Sequence, residues 1–350
     1  MTVAVDQLIG THDRNVVDRG IAGQPPLRPG APARVARAAP ARATSWLGVL
    51  TLAGVTAWLS WVGLFDLVGA HDVGVALSAA RGAAVGPALL VTVALLFAAE
   101  RRWPAVRRPA LSRAHLVDAA YLGLFALAVL PVLTMVQTGF AVEVERHGRF
   151  LLLGRLPAVP RLAVVVAVLV AMDAMNWLAH LANHRSVALW RLHALHHSQE
   201  EMSVFTTFRT HPLMHAAYLP AVLPALVLGA SGTVPAAALV IYGCLVTLPH
   251  ANLRWTFGPL GRVLVSPAYH RLHHARDPLD PYGAVNLGFV MVLWDQLARR
   301  AVHPTGGRSV ATGITGRPVP VEQSERGAVR VVLAQLGQPF RLGAPTGGRS

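Results

Sequence analysis

Four apolar runs constrain this chain more than any other feature: Leu47 to Phe65, Gly82 to Ala99, Ala119 to Gly139 and Leu162 to Ala179. A hydrocarbon core about 30 Å thick is crossed by roughly 20 helical residues, so each run is long enough to span a bilayer. Lipid offers no partner to a backbone N–H or C=O, and a helix satisfies those groups within one segment. The expected fold is therefore all-α, an integral membrane helical bundle. Composition agrees, with 53% hydrophobic and 14% charged residues and a mean hydropathy of +0.46, which argues against a soluble chain.

Charge placement sets the orientation. The 31 basic residues are all arginine, against 17 acidic ones, for a net charge of +14. Uniform arginine among abundant alanine, glycine and valine fits GC-rich coding, so the basicity does not call for nucleic acid, and none is expected as a partner. The loop between the second and third runs carries Arg101, Arg102, Arg107, Arg108 and Arg113, whereas Ala70 to Arg81 has Arg81 alone. Positive residues mark the cytoplasmic side, which places the N-terminus and the arginine loop there. The fourth run then returns the chain to the cytoplasm. Two later stretches, Ala216 to Ala230 and Val234 to Pro249, are short and broken by prolines. They fit two tilted helices or one re-entrant hairpin, and either route ends on the same side.

That side is where the histidines collect, as a cytoplasmic cap on the bundle. Eight of the sixteen lie in three clusters: His180-Leu-Ala-Asn-His184, His193-Ala-Leu-His196-His197 and His270-Arg-Leu-His273-His274. Residues four apart share a helical face, so His180 points with His184 and His193 with His197, with His196 adjacent. A lone histidine on an apolar face is more often a core residue than a ligand. The repeated spacing, not any one member, signals metal. Imidazole suits iron, zinc, copper or nickel, while calcium and magnesium prefer oxygen. Eight ligands exceed the four of tetrahedral zinc and the six of an octahedral ion, so two metals are expected.

Neutral imidazoles leave the charge of two divalent ions to hydroxide, bound oxygen species or carboxylates, and the available acids are Asp173, Glu200, Glu201, Asp277 and Asp295. Asp173 lies within the fourth apolar run, where an ionisable residue is costly and usually functional. It shares one helical face with Trp177, His180 and His184. By helical rise it stands about 10 Å from His180, too far to orient that ring, so it is expected to accept a hydrogen bond from an imidazole of another cluster. Other chemistries lack their signatures. His180 is followed by Leu181 and His193 by Ala194, so no His-Glu-x-x-His protease helix is present. Ser198 has no nucleophile elbow, and the single cysteine, Cys244, excludes disulfides within the chain and thiolate metal sites. Without a phosphate loop or dinucleotide fingerprint, reducing equivalents are expected from a separate electron-transfer protein.

The series Asp173-x-x-x-Trp177-x-x-His180-x-x-x-His184, His193-x-x-His196-His197-Ser198, Arg209-x-His211-Pro212, His250-x-Asn252, Ser266-Pro267-x-x-His270-x-x-His273-His274, Tyr282-Gly283 and Trp294-Asp295 resembles the fatty acid hydroxylase or sterol desaturase superfamily. The match covers about Asp173 to Leu297. Departures include Met214 in place of a common glutamate, Pro281 before Tyr282-Gly283, and Ala298-Arg299-Arg300 after Leu297. The resemblance implies a membrane non-haem di-iron enzyme that uses O2 and outside electrons to hydroxylate or desaturate a lipid of sterol or fatty acyl type. It implies two iron ions held by His180, His184, His193, His196, His197, His270, His273 and His274, with His250 a further ligand. Asp173, Trp177, His211, Asn252 and Asp295 would support those ligands. The rival from another class is a histidine-rich membrane metal transporter or metal-binding protein without oxygenase activity; a catalytically dead scaffold is the third.

The layout expected along the chain has four parts: a disordered basic arm at residues 1–44, N-terminal transmembrane helices at 45–160, a catalytic domain at 161–300, and a flexible tail at 301–350. The tail holds a short amphipathic helix near Ala328 to Leu336 that the basic balance could hold against anionic lipid. The first apolar run lacks the charged region and cleavage site of a secretory signal, so it is expected to stay as an anchor.

Overall fold

The computed structural model describes residues 72–109, 111–133, 159–222, 224–225, 233–276, 285–305, 310–314 and 327–340. The first apolar run, the basic arm, Asp277, Pro281 and Tyr282-Gly283 lie outside the described residues. Among the described residues the fold is helical, and only isolated bridges of the β type occur, such as Pro104 with Leu253 and Leu264 with Met291.

Three long helices carry the described parts of the second, third and fourth apolar runs. Helix α1 spans Asp72–Arg102 and contains Gly82 to Ala99. Helix α2 begins at Arg113 and runs to Leu133 through a widened π turn at Phe125–Val129. Helix α3 spans Arg161–Arg185. Two stretches, Arg113–Leu133 and Leu162–Arg185, are long and apolar enough to cross a membrane, each with a hydropathy of 2.1. Their outer faces leave large apolar side chains uncovered, including Leu127 and Val132 on α2 and Leu162 and Val166 on α3. Water would penalise such a surface and lipid would not.

One residue, Ser186, separates α3 from α4 at Val187–His197. Its extended backbone turns the chain sharply, and its hydroxyl caps α4 by accepting from the Leu189 N–H. Helix α5, Thr233–Leu245, packs against both α1 and α3. At about 20 Å by helical rise it is shorter than the hydrocarbon core. Val168 and Met172 of α3 bury with Ala238 and Tyr242 of α5 in one core. Helix α6, Pro267–His273, starts at a Ser266 cap whose hydroxyl accepts from the Tyr269 N–H, with proline at the first turn. A short helix α7, Leu293–Leu297, follows.

The short helix expected near Ala328 to Leu336 is present, and it docks on the bundle. Helix α8, Ala328–Leu336, buries Val331 and Val332 against Val117, Tyr121 and Leu195. The buried Tyr121 hydroxyl donates to Gln335 Oε1 at 2.9 Å. The inner face of α8 is thus held by protein, not by lipid.

Candidate metal centre

Nine buried histidines converge into two groups. His180, His184, His193, His197 and His273 form one, and His196, His250, His270 and His274 the other. Within each group, one ring nitrogen per residue lies within 4.8 Å of the rest. These are the nine residues expected as ligands from the sequence.

Helical geometry explains the division. In a His-x-x-His-His run the first and last members are four apart and share a face, while the middle one, three along, turns aside. On α4, His193 and His197 enter the first group and His196 the second. On α6 the roles reverse: His270 and His274 enter the second group and His273 the first. Each run thus gives two histidines to one group and one to the other. The corner at Ser186 brings the His180 and His184 turn onto His193 and His197, and a tight turn at Leu248–His250 adds His250.

The nitrogen contacts fit a metal better than they fit each other. Nε2 of His193 lies 3.1 Å from Nε2 of both His180 and His197. Nε2 of His250 lies 3.1 Å from Nε2 of both His196 and His270. Ligands about 2.1 Å from one ion, if placed octahedrally, are about 3.0 Å apart along an edge. His273 Nε2 and both ring nitrogens of His274 are buried without a hydrogen-bond partner. An ion would satisfy such atoms, which are otherwise costly to bury.

The outward nitrogens are held by the protein. Nδ1 of His180 donates to the Leu287 carbonyl and Nδ1 of His273 to the Val285 carbonyl, both at 2.8 Å. Nδ1 of His196 faces the Arg209 carbonyl at 3.3 Å, and Nδ1 of His250 faces Thr207 Oγ1 at 3.2 Å. A proton held on Nδ1 leaves Nε2 as the free lone pair. Met214, where a glutamate is common, offers its sulfur to His193 Nδ1 at 3.0 Å, a weak acceptor. Burial pushes the pKa of His193, His197, His270, His273 and His274 well below the ordinary histidine value. It lowers that of His196 to about 4. Neutral rings are the form a metal needs.

A carboxylate holds the Leu287 backbone. Asp295 Oδ1 accepts from Trp177 Nε1 at 2.8 Å and the Leu287 N–H at 2.9 Å. Its Oδ2 accepts from the Gly288 N–H at 2.9 Å and the Tyr269 hydroxyl at 3.0 Å. Burial and the adjoining Asp295 raise the Tyr269 pKa, which keeps its hydroxyl protonated to donate. Gly288 is required here, because a Cβ would lie 2.6 Å from the Met291 carbonyl oxygen and 3.1 Å from Asp295 Oδ2. Trp177 and Asp295 therefore reach His180 through the Leu287 backbone.

Other expected supports do not touch the ligands. Asp173 accepts from Tyr242, the Val290 and Met291 N–H groups and Trp294 Nε1, at 2.9 to 3.0 Å. It clamps α3 to α5 and to the 290–294 turn, so the expectation that it orients an imidazole is corrected. Asn252 accepts from the Val106 N–H and Arg271 and donates to the Val106 carbonyl; it braces a loop rather than a ring. His211 caps its own turn through Leu213 and reaches the Leu336 carbonyl at 3.2 Å, outside both groups. His215 pairs with Thr210. Neither group includes a carboxylate among the described residues, and Glu200 pairs with Arg276 at 3.0 Å. Ions held by these histidines would need charge compensation from outside the two groups.

Several supporting residues escaped the sequence reading. Asp118 is one of them, and it forms a fully buried pair at 3.6 Å with Arg209 of the Arg209-x-His211-Pro212 motif, behind the carbonyl that meets His196. Glu100 Oε1 accepts from the N–H groups of Val204 and Asn252, both at 2.7 Å. Asn286, in a left-handed conformation with φ 55°, ties the Tyr269 carbonyl to Val302. An acid inside an apolar helix, such as Asp118, was the available signal.

The fatty acid hydroxylase family model matches residues 165–299, the stretch that supplies all nine histidines. That stretch of the chain is similar to the fatty acid hydroxylase family. The chain is 33% identical over 178 residues to the ornithine lipid hydroxylase OlsE of Rhizobium tropici, covering 50% of each protein. It is 31% identical over 147 residues to the alkylglycerol monooxygenase of Caenorhabditis elegans, covering 36% of this chain and 24% of that one. The chain thus spans half or less of the curated relatives it matches. No solved structure matches it. Within the matched stretch the two histidine groups sit where α3, α4, the Leu248–His250 turn and α6 meet.

Proposed function

We propose that the chain is a membrane-bound non-haem di-iron hydroxylase that oxidises a lipid with O2 and electrons from a separate carrier protein. The observation that supports this most is the pair of buried histidine groups, five and four strong, with no thiolate or carboxylate among them. Iron held there would supply the oxygen chemistry needed to attack an unactivated C–H bond. The chain's own part is to fix the ligand tautomers through backbone carbonyls, exclude water by burying every ring, and present apolar helix faces to an acyl or alkyl chain. Hydroxylation is favoured over desaturation because the relatives are named for oxygen insertion, on an ornithine lipid and an alkylglycerol. The arginine-rich loop favours a cytoplasmic position for the histidines, where soluble electron carriers reach them.

The test uses purified full-length protein in lipid nanodiscs with a chemical reductant, a total lipid extract and 18O-labelled O2. Reductant-dependent oxygen uptake and a lipid carrying one labelled oxygen are expected. Protein loaded with zinc alone, with no oxygen consumption after iron reconstitution, would overturn the reading and favour metal binding without oxygenase activity.

A further inference from the structure

Apart from the histidine groups, the described residues contain a cavity of about 340 Å³ at the C-terminal end of α1. Four arginines line it, Arg101, Arg102, Arg107 and Arg108, with His115 opposite and Glu100 at the helix end. Glu100 is the one carboxylate on the wall, and its Oε1 is turned to the Val204 and Asn252 N–H groups. Arg108 is positioned by the carbonyls of Met202 and Glu200, both at 3.3 Å, and Arg101 by the Pro109 carbonyl at 3.3 Å. Asn252, on the wall, accepts from Arg271, whose side chain is buried at 3% exposure with Nε and Nη1 unbonded. A fifth guanidinium therefore adds to the positive potential from inside. The nearby Glu200 carboxylate is engaged by Arg276 at 3.0 Å.

The depth of this cavity relative to lipid follows from α1. Leu90, Val91 and Leu95 are exposed along the helix before it. Trp103, 38% exposed, follows Arg102 and packs on Trp255 with ring centres 5.7 Å apart. The Arg102 guanidinium lies 5.4 Å over the Trp103 ring. Tryptophan beside arginine at the end of an apolar helix marks the headgroup layer of a bilayer. The cavity is of a size that takes a small polar group, at the lower end of ligand pockets.

We propose that this cavity binds the phosphate of an anionic membrane phospholipid. The chemistry recognised is a phosphate ester met by several guanidiniums. The lipid is the source that the flanking apolar face and tryptophans favour over a soluble phosphate. The site is independent of the metal centre and of the reaction carried out there.

Full-length protein is delipidated in detergent and titrated with phosphatidylglycerol, phosphatidylcholine, glycerol phosphate and inorganic phosphate, with retention read by native mass spectrometry and by thermal shift. Phosphatidylglycerol is expected to bind and stabilise, and the other three to do so at least tenfold more weakly. Each arginine near the surface contributes about fivefold, so Arg102→Gln with Arg107→Gln should weaken phosphatidylglycerol binding about 30-fold. Arg330→Gln, on the exposed face of α8, should leave it unchanged. Equal retention of the two lipids, equal binding of inorganic phosphate, or an equal loss in Arg330→Gln would overturn the proposal. Binding of the double variant at the parent affinity would do the same. Circular dichroism of the double variant confirms its fold, since both side chains are exposed.

Discussion

Replacing Asp295 by Asn tests how the protein holds His180, a candidate metal ligand. The carboxylate accepts four hydrogen bonds, from Trp177, Leu287, Gly288 and Tyr269. An amide keeps one acceptor oxygen and turns an N–H2 toward the other pair. The Tyr269 hydroxyl can rotate to accept, whereas the Gly288 N–H has no such choice. One buried donor left unmade costs about 1–3 kcal/mol, and the loss of charge assistance at the remaining bonds brings the total to roughly 2–4 kcal/mol. The Leu287 carbonyl that fixes His180 belongs to the same turn, so metal affinity should fall about 10- to 100-fold. The assay is iron retained against graded chelator, beside thermal unfolding with and without iron. Asp173→Asn is the comparison, since it also removes a four-bond carboxylate but touches no histidine. It should lose similar stability while its iron affinity changes less than about threefold. An Asp295→Asn protein that is less stable yet binds iron at the parent affinity would refute the chain of contacts from Asp295 to His180.

Further predictions follow from the same contacts. Below pH 6.5 the metal-free protein should lose stability, because burial depresses its histidine pKa values and the unfolded chain therefore takes up protons first. His196 alone, at about 4 when folded, would remove about 3 kcal/mol by the time pH reaches 4; a melting temperature flat from pH 7 to 4.5 would contradict this. Gly288→Ala should lower both stability and iron retention, as its Cβ meets the Met291 carbonyl at 2.6 Å; unchanged chelator resistance would show that the turn can yield. Val331→Asp should undock α8 by burying a charge in its contact with α2 and α4, read as new tryptic cleavage at Arg330. Protection equal to the parent would mean that α8 is held by other contacts.

Eight of the nine converging histidines were legible in the sequence because helical periodicity puts residues three and four apart into a fixed angular relation. His250 was legible through its motif alone. The division of ligands between sites was not legible, since it depends on the corner at Ser186 and on the direction from which α6 approaches. Asp173 was correctly singled out as a costly acid in an apolar helix, but its partners lie at Tyr242 and at residues 290–294, and periodicity carries no information about so distant a meeting. Asp118, Glu100 and Gln335 went unread for the same reason: Asp118 meets Gln199 81 positions away, Glu100 meets Asn252 152 away, and Gln335 meets Tyr121 214 away. The amphipathic pattern of α8 was visible, yet a pattern does not say whether lipid or protein covers the apolar face.

The central claim is that the two histidine groups are two separate metal sites. The direct measurement is iron per chain in the purified full-length protein and in two variants, His197→Ala from the first group and His274→Ala from the second. Two irons in the parent and about one in each variant are the predicted result. A single iron in the parent, or loss of both irons when either group alone is altered, would contradict it.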